Sequence, residues 1–326
     1  MLNIDSFIIF AFIVSVSFRA NGFLLLKKIS DKGVTKMKKA LIGIIATIMA
    51  VITMFSLTAC QNRTKKDLSK ATCIADLEGA KISAQSGTFH ETARNQIKNV
   101  KGDIYPDFDS LLTALLSGAI DGYIAEEPTA FSVCLKNSNL DYVRLVNNDT
   151  GFTVTDDDVS IAIGVKKGSE LLDKINAAIR QTTAEQRKEL MEQIVRIRNT
   201  DEKITKFAVS NSAPETTNGV LRVGMECAYD PFNWSQESAE NGAVPIKDKK
   251  DLYANGYDVQ IAKFVANALG MKLEIHMVEF DSLISGVNAG TFDAIIAGMS
   301  PTADRRAEVD FTDVYYTSNL VVIYKK

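Results

Sequence analysis

The feature that most constrains the fold is a gapless internal repeat. "FDSLLTALLSGAIDGYIA" at residues 108–125 aligns with "FDSLISGVNAGTFDAIIA" at 280–297, and the two are identical at 8 of 18 positions. Phe, Asp, Ser and Leu open both copies, Gly118 matches Gly290, and Asp121 matches Asp293, all at an offset of 172 residues. Each copy reads as a short amphipathic helix, a glycine C-cap and a buried strand. Two copies so far apart do not make a solenoid, which stacks several adjacent units. They predict two similar α/β lobes.

The flanking segments supply further elements. Residues 77–88 read as a strand entering a Ser-Gly-Thr turn, with a helix after it, and 159–169 read as an alternating strand. Ser169 is placed to cap the next helix, and Thr183 with Gln186 forms a capping box before "RKELMEQIVRIR". Residues 200–219 are polar and aperiodic, which reads as a linker. Strand "VLRVGME", helix "YDVQIAKFVANALG" capped at Gly270, and strand "KLEIHMVEF" then lead into the second repeat copy. Strands alternating with helices predict mainly parallel sheets. At 46% hydrophobic and 24% charged, 326 residues suffice for two ordinary cores. A net charge of −3 without a basic stripe argues against nucleic acid as a partner. Two histidines and four cysteines without a CxxC pair suggest no metal site and no dithiol redox motif.

The N-terminal part is set aside from the fold argument. Met37-Lys38-Lys39, a long apolar stretch and "LTAC" before polar "QNRTKKD" resemble a bacterial lipoprotein signal, with Cys60 lipidated. A plain transmembrane anchor is the alternative, since the apolar stretch is longer than a usual signal core. Residues 1–36 carry a second apolar stretch and read as an over-extended start, with Met37 the initiator. The mature chain is then expected outside the cytoplasm, held to the cell membrane by its lipid as in Gram-positive-type lipoproteins.

From residue 219 onward the chain resembles a known family. "LRVGMECAYDPFNW", "GYDVQIAKFVANALGMKLEI" and "VEFDSLISGVNAGTFDAIIAGMSPTADRRAEVDFTDVYY" look like the first lobe of bacterial extracellular amino-acid-binding proteins. These are the capture subunits of polar amino-acid ABC importers. Residues 74–132 look like that family's second lobe, and 159–198 like its return to lobe one. The resemblance implies a two-lobed periplasmic-binding-protein-like fold of type II, hinged by crossing strands. The order departs from the family, because the second lobe comes first; the chain therefore resembles a circular permutant. The expected parts are residues 1–60 as extension and signal, 67–155 as lobe two, 156–199 as the return part of lobe one, 200–219 as linker, and 220–326 as the front of lobe one ending in a hinge strand. The last strand, Leu320 to Tyr324, is expected beside 159–165 at a cut hinge, with one covalent crossing left near 154–160.

The resemblance also assigns residues. Arg305 would fork onto a ligand α-carboxylate, with Ser300 and Gly298 adding hydrogen bonds, and Glu126 would accept from the α-ammonium. Thr88 and Phe89 stand where a helix opens and amides favour a carboxylate. Tyr229 and Phe280 match positions that sandwich the ligand, and Trp234 is a further aromatic candidate. Glu226 matches a position that is usually acidic, and Gln85 one that varies with ligand. An acid with an aromatic sandwich leans towards arginine, lysine or histidine, with glutamine close behind. Cys227 reads as a buried free thiol, while Cys73 and Cys134 could pair. The expected function is non-catalytic capture by a monomer that docks on an ABC permease, with no cofactor. An enzyme on the same fold, dehydratase-like and with His90 as the one conceivable base, and a sensory module are the rival readings.

Overall fold

The structure is a computed structural model that describes residues 65–326 apart from residue 205 and residues 210–217. Cys60, the signal-like segment, residues 1–36 and the middle of the expected linker lie outside the described residues. Among the described residues, no helix is long and apolar enough to cross a membrane.

In chain order the strands are β1 (Ile82–Gln85), β2 (Ile104–Tyr105), β3 (Gly122–Glu126), β4 (Leu140–Arg144), β5 (Ser160–Lys166), β6 (Val220–Met225), β7 (Ala228–Tyr229), β8 (Asn233–Gln236), β9 (Val244–Pro245), β10 (Tyr253–Asn255), β11 (Lys272–Met277), β12 (Ala294–Ile295), β13 (Val309–Thr317) and β14 (Leu320–Lys325). They form two five-stranded sheets, β2-β1-β3-β14-β4 and β11-β6-β12-β5-β13, and a small antiparallel sheet β7-β8-β10-β9. The two large sheets match position for position, as the repeat predicts. In each, three parallel strands are followed by a fourth that arrives from the other lobe: β14 crosses into the first sheet, and β5 crosses into the second.

That exchange corrects two expectations. Leu320 to Tyr324 does not lie beside 159–165. It pairs antiparallel with β3 on one side and β4 on the other, and β13 takes the place beside β5. Both crossings are therefore covalent, one between β4 and β5 and one between β13 and β14, and the Ser318 N–H donates to the Val159 carbonyl to tie them together (3.0 Å). The apolar β-branched run "LVVI" reads as a strand wherever it sits, so its pattern could not say which lobe buries it. The sheets are also mixed, not mainly parallel. A strand entering from the hinge runs against its neighbours, so four of the eight strand pairings in the two large sheets are antiparallel.

The repeat copies explain themselves in the fold. Helix Phe108–Ser117 ends at Gly118 and helix Leu283–Ala289 ends at Gly290, with φ of 78° and 76°, the left-handed region that closes a helix at least cost with glycine. The shared aspartates then tie each outgoing strand to an earlier one. Asp121 accepts from the Lys81 N–H (2.8 Å), and Asp293 accepts from the Arg222 N–H (2.9 Å) and from its guanidinium. The predicted capping box is in place, with Thr183 and Gln186 bonding each other's backbone N–H, and Ser169 Oγ accepts from the Leu171 N–H. One face of the first sheet buries Leu77, Ile82, Ile124, Val143, Phe152, Val322 and Tyr324 in its own apolar cluster. Cys73, Cys134 and Cys227 are all free thiols.

Candidate functional site

The strand ends and loops of both lobes meet in a nearly closed cleft whose cavity volume is about 10 Å³, lined by Gln85, Thr88, Phe89, His90, Phe108 and Glu126 from one side and Tyr229, Phe280, Gly298, Ser300 and Arg305 from the other. This is where ligands sit in open α/β sheets, beyond the carboxyl ends of the strands. Nine of the eleven predicted site residues line it: Arg305, Ser300, Gly298, Glu126, Thr88, Phe89, Tyr229, Phe280 and Gln85.

Arg305 is 9% exposed and reaches across the cleft. Its Nη1 donates to the Ser300 carbonyl (2.9 Å), its Nη2 donates to the Gly87 carbonyl of the other lobe (2.7 Å), and its guanidinium lies 5.1 Å from the centre of the Phe280 ring. Burial pulls its pKa down to about 10, against the attraction of Asp281 and Glu126, so it stays charged at neutral pH. A guanidinium carries five N–H donors, which leaves several for a third partner.

Glu126, at the end of β3, is buried and holds His90 Nε2 at 3.0 Å through Oε1. Its Oε2 has no protein partner, and neither do His90 Nδ1 and the Tyr229 hydroxyl. Buried polar atoms are nearly always satisfied, so three of them on cleft residues mark a place built to meet polar groups. Phe108 stacks on Tyr229 with centroids 4.2 Å apart and planes 9° from parallel, and meets His90 edge-on at 5.8 Å. Thr88 opens helix Phe89–Arg94, although its hydroxyl donates to the Gln85 carbonyl (2.8 Å) and does not cap the helix. The Ser300 hydroxyl donates to the Asp158 carbonyl (2.9 Å), leaving its lone pairs to accept.

A buried network holds the lobe-one side rigid. Cys227 takes a left-handed φ of 57° and its N–H donates to Asn233 Oδ1 (2.8 Å). Asn233 Nδ2 donates to Asp258 Oδ2 (2.8 Å), and the Tyr315 hydroxyl donates to Asp258 Oδ1 (2.7 Å). Burial pushes the Asp258 carboxyl up to about 7, against the pull of those two donors and of the Gly298 backbone. Gly298 has a φ of 60°, and a Cβ there would stand 2.7 Å from the Tyr229 ring, so this position has room only for glycine.

Two predicted residues stand elsewhere. Glu226 lies behind Gln85 and borders a neighbouring depression with Asp107, Asp109 and Glu279. Its Oε2 accepts from Gln85 Nε2 (2.6 Å), its Oε1 has no protein partner, and burial raises its pKa to about 8. Trp234 does not reach the cleft: Arg198 lies over its ring at 4.9 Å, and its Nε1 donates to Gln236 Oε1 (3.1 Å). Phe108 was missed, although the repeat names it, since it opens the first copy as Phe280 opens the second. His90 carries no pattern that distinguishes a carboxylate's partner from any helical histidine.

Residues 221–326 match the family model described as bacterial extracellular solute-binding proteins, family 3. The chain is 32% identical over 123 residues to the arginine-binding extracellular protein ArtP of Bacillus subtilis, covering 38% of this chain and 43% of that one. It is 36% identical over 108 residues to the L-cystine-binding protein TcyA of the same organism, covering 33% and 35%. The matched region thus spans less than half the length of these curated relatives. Among solved structures, the arginine-bound form of domain 1 from TmArgBP is 28% identical, covering 33% of this chain and 81% of that one, with a TM-score of 0.25.

Proposed function

We propose that the whole chain, whose residues 221–326 match the family 3 extracellular solute-binding proteins, captures a polar or basic L-amino acid between its two lobes and delivers it to an ABC importer. The observation that carries this reading is the cleft itself: a buried Arg305 faces a buried Glu126 whose second oxygen has no protein partner. A cation and an anion held on opposite lobes complement the two ends of a zwitterion. Arg305 takes the α-carboxylate by its fork, Ser300 and the helix opening at Thr88 and Phe89 assist, and Glu126 takes the α-ammonium. Tyr229, Phe280 and Phe108 flank the side chain, and Gln85 backed by Glu226 meets its far end.

The cleft as it stands is smaller than most small-molecule pockets. Entry therefore requires the lobes to part about the paired crossings at Val159 and Ser318, and capture is their closure. The chain order supports a circular permutation of this family. Lys65, just ahead of lobe two, donates through Nζ to the carbonyl of Lys325 in the last strand, so the start of lobe two lies beside the end of β14. Permutation is tolerated where ends lie close and at the surface. The reading further includes Cys60 as a lipid attachment on the extracellular face, a permease as the docking partner, a monomer, and no catalysis.

Isothermal calorimetry with the twenty common amino acids and cystine tests the function. Saturable heat for a basic amino acid, without any new product, is the expected outcome. Tight glutamine binding with none of arginine, lysine or histidine would overturn the basic preference, and turnover would overturn capture.

A further inference from the structure

Outside the cleft, one cluster joins the two lobes through charge. Asp230 follows the cleft residue Tyr229 on lobe one, and its carboxylate is the focus of three donors. Ser132 Oγ donates to Oδ1 (2.8 Å) and Lys136 Nζ donates to Oδ2 (2.7 Å), both from helix Glu127–Lys136 of lobe two. Arg198 Nε, from helix Ala184–Asn199 of lobe one, donates to the same Oδ2 and lies over the Trp234 ring. Asn199 Nδ2 also donates to Ser132 Oγ (3.1 Å), so the serine is held from lobe one twice. Ser132 is 0% exposed, and the Asp230 side chain is 15% exposed. Helix Glu127–Lys136 begins directly after Glu126, so the element that carries Ser132 and Lys136 is the one that leaves the cleft.

We propose that Asp230 is a latch between the lobes that sets how long a captured ligand is retained, with Ser132 and Lys136 as its lobe-two half. The inference rests on the capture reading above. Parting the lobes moves helix Glu127–Lys136 away from Asp230, stripping a carboxylate of a hydroxyl and an ammonium in a largely desolvated place. Arg198 stays with Asp230 on lobe one and presents it. Since none of these side chains lines the cleft, the latch acts on closure and not on contact with ligand. Severing a buried charged hydrogen bond changes dissociation more than association.

The test uses Ser132→Ala, Lys136→Met and Asp230→Asn, with Lys247→Met, which breaks an exposed pair within lobe one to Glu274, as the control. Trp234 is the single tryptophan of the chain and lies under Arg198, which donates to Asp230, so its fluorescence reports on the surroundings of the latch. L-arginine is the probe, and its dissociation is followed by stopped flow. The latch variants should release arginine roughly three- to tenfold faster, with association within about twofold of the unaltered protein and Lys247→Met unchanged. Dissociation within about twofold of the unaltered protein in both Ser132→Ala and Lys136→Met overturns the latch, as does an equal loss in association. Should calorimetry show no arginine binding to the unaltered protein, the basic preference falls by itself. The latch is then read from amide hydrogen exchange of helix 127–136 in the ligand-free chain: faster exchange in Asp230→Asn supports it, and unchanged exchange overturns it.

Discussion

The two lobes are built from one pattern and do different chemistry at the same place. At the offset of 172 residues, Glu126 of lobe two corresponds to Gly298 of lobe one. Both stand at the exit of the strand that follows the repeat helix, and both line the cleft. Lobe two puts a carboxylate there. Lobe one puts bare backbone there, because the Tyr229 ring occupies the space a side chain would need, and supplies its charge from Arg305 a few residues on. The copies share a scaffold, the left-handed glycine and the strand-tying aspartate, and one wall of the cleft each, the opening phenylalanines Phe108 and Phe280. What they do not share is where the cleft obtains its polarity. Repetition within this chain thus marks scaffold and aromatic walls, and the departures from it mark the charged groups of the cleft.

The largest effect should come from removing the charge that lobe one contributes. On the proposed reading, Arg305→Ala leaves the ligand carboxylate without its fork, and amino-acid affinity should fall by roughly a hundredfold or more in calorimetry, the scale of truncating one partner of a buried charged pair. Arg305→Lys should recover little of it, since a point charge cannot match two oxygens at once. An Arg305→Ala protein that binds as tightly as the unaltered chain would place the carboxylate on lobe two and undo the division of labour between the lobes.

Much of this was legible in the sequence. The repeat named both helices, both glycine caps and both aspartates; "GMSPTADRR" and "IAEEP" placed Gly298, Ser300, Arg305 and Glu126, and the resemblance placed Gln85, Thr88, Phe89, Tyr229 and Phe280. What the sequence could not carry was partnership over distance. Leu320–Tyr324 is equally apolar in either lobe, so its place between β3 and β4 follows only from which sheet had an open position. Trp234 looked like a wall because aromatics near a site residue often are; its place under Arg198 depends on a helix 36 residues earlier in the chain. Glu226 is adjacent to a strand end, yet Gln85 of the other lobe stands between it and the cleft.

Two buried acids of lobe one, Glu226 and Asp258, have a pH consequence. Glu226 has its carboxyl raised from the usual 4.5 to about 8 by burial, with the Gln85 amide opposing the shift. Its folded pKa lies above its unfolded one, so the folded chain holds a proton that the unfolded chain releases. Stability therefore falls as pH rises from about 4.5 to about 8. Asp258, raised to about 7, adds in the same direction. Urea unfolding of the ligand-free protein at a series of pH values should show this decline, with a slope shallower by up to about one proton in Glu226→Gln. An identical slope in the variant would mean that Glu226 is ionised in the folded chain.

The smallest effect tests the shared scaffold itself. Asp121 and Asp293 occupy the same place in the two copies, each accepting from the backbone N–H of the strand that its own strand pairs with or follows: Lys81 at the entrance to β1, Arg222 within β6. Replacing either by alanine leaves a backbone donor without its acceptor, at a cost of about 1–3 kcal/mol. Asp293 also holds the Arg222 guanidinium through Nε (3.1 Å) and Nη2 (2.6 Å), but that pair is partly open to water and adds little. Asp121→Ala and Asp293→Ala should therefore lower stability by similar amounts in thermal unfolding, while differing in where the damage falls. Amide exchange should quicken in β1 and β3 for the first variant and in β6 and β12 for the second, because the backbone bond that each aspartate accepts lies within its own sheet. Equal loosening of both sheets by either substitution would show that the lobes melt as one unit, and that their likeness in sequence does not make them separately anchored folds.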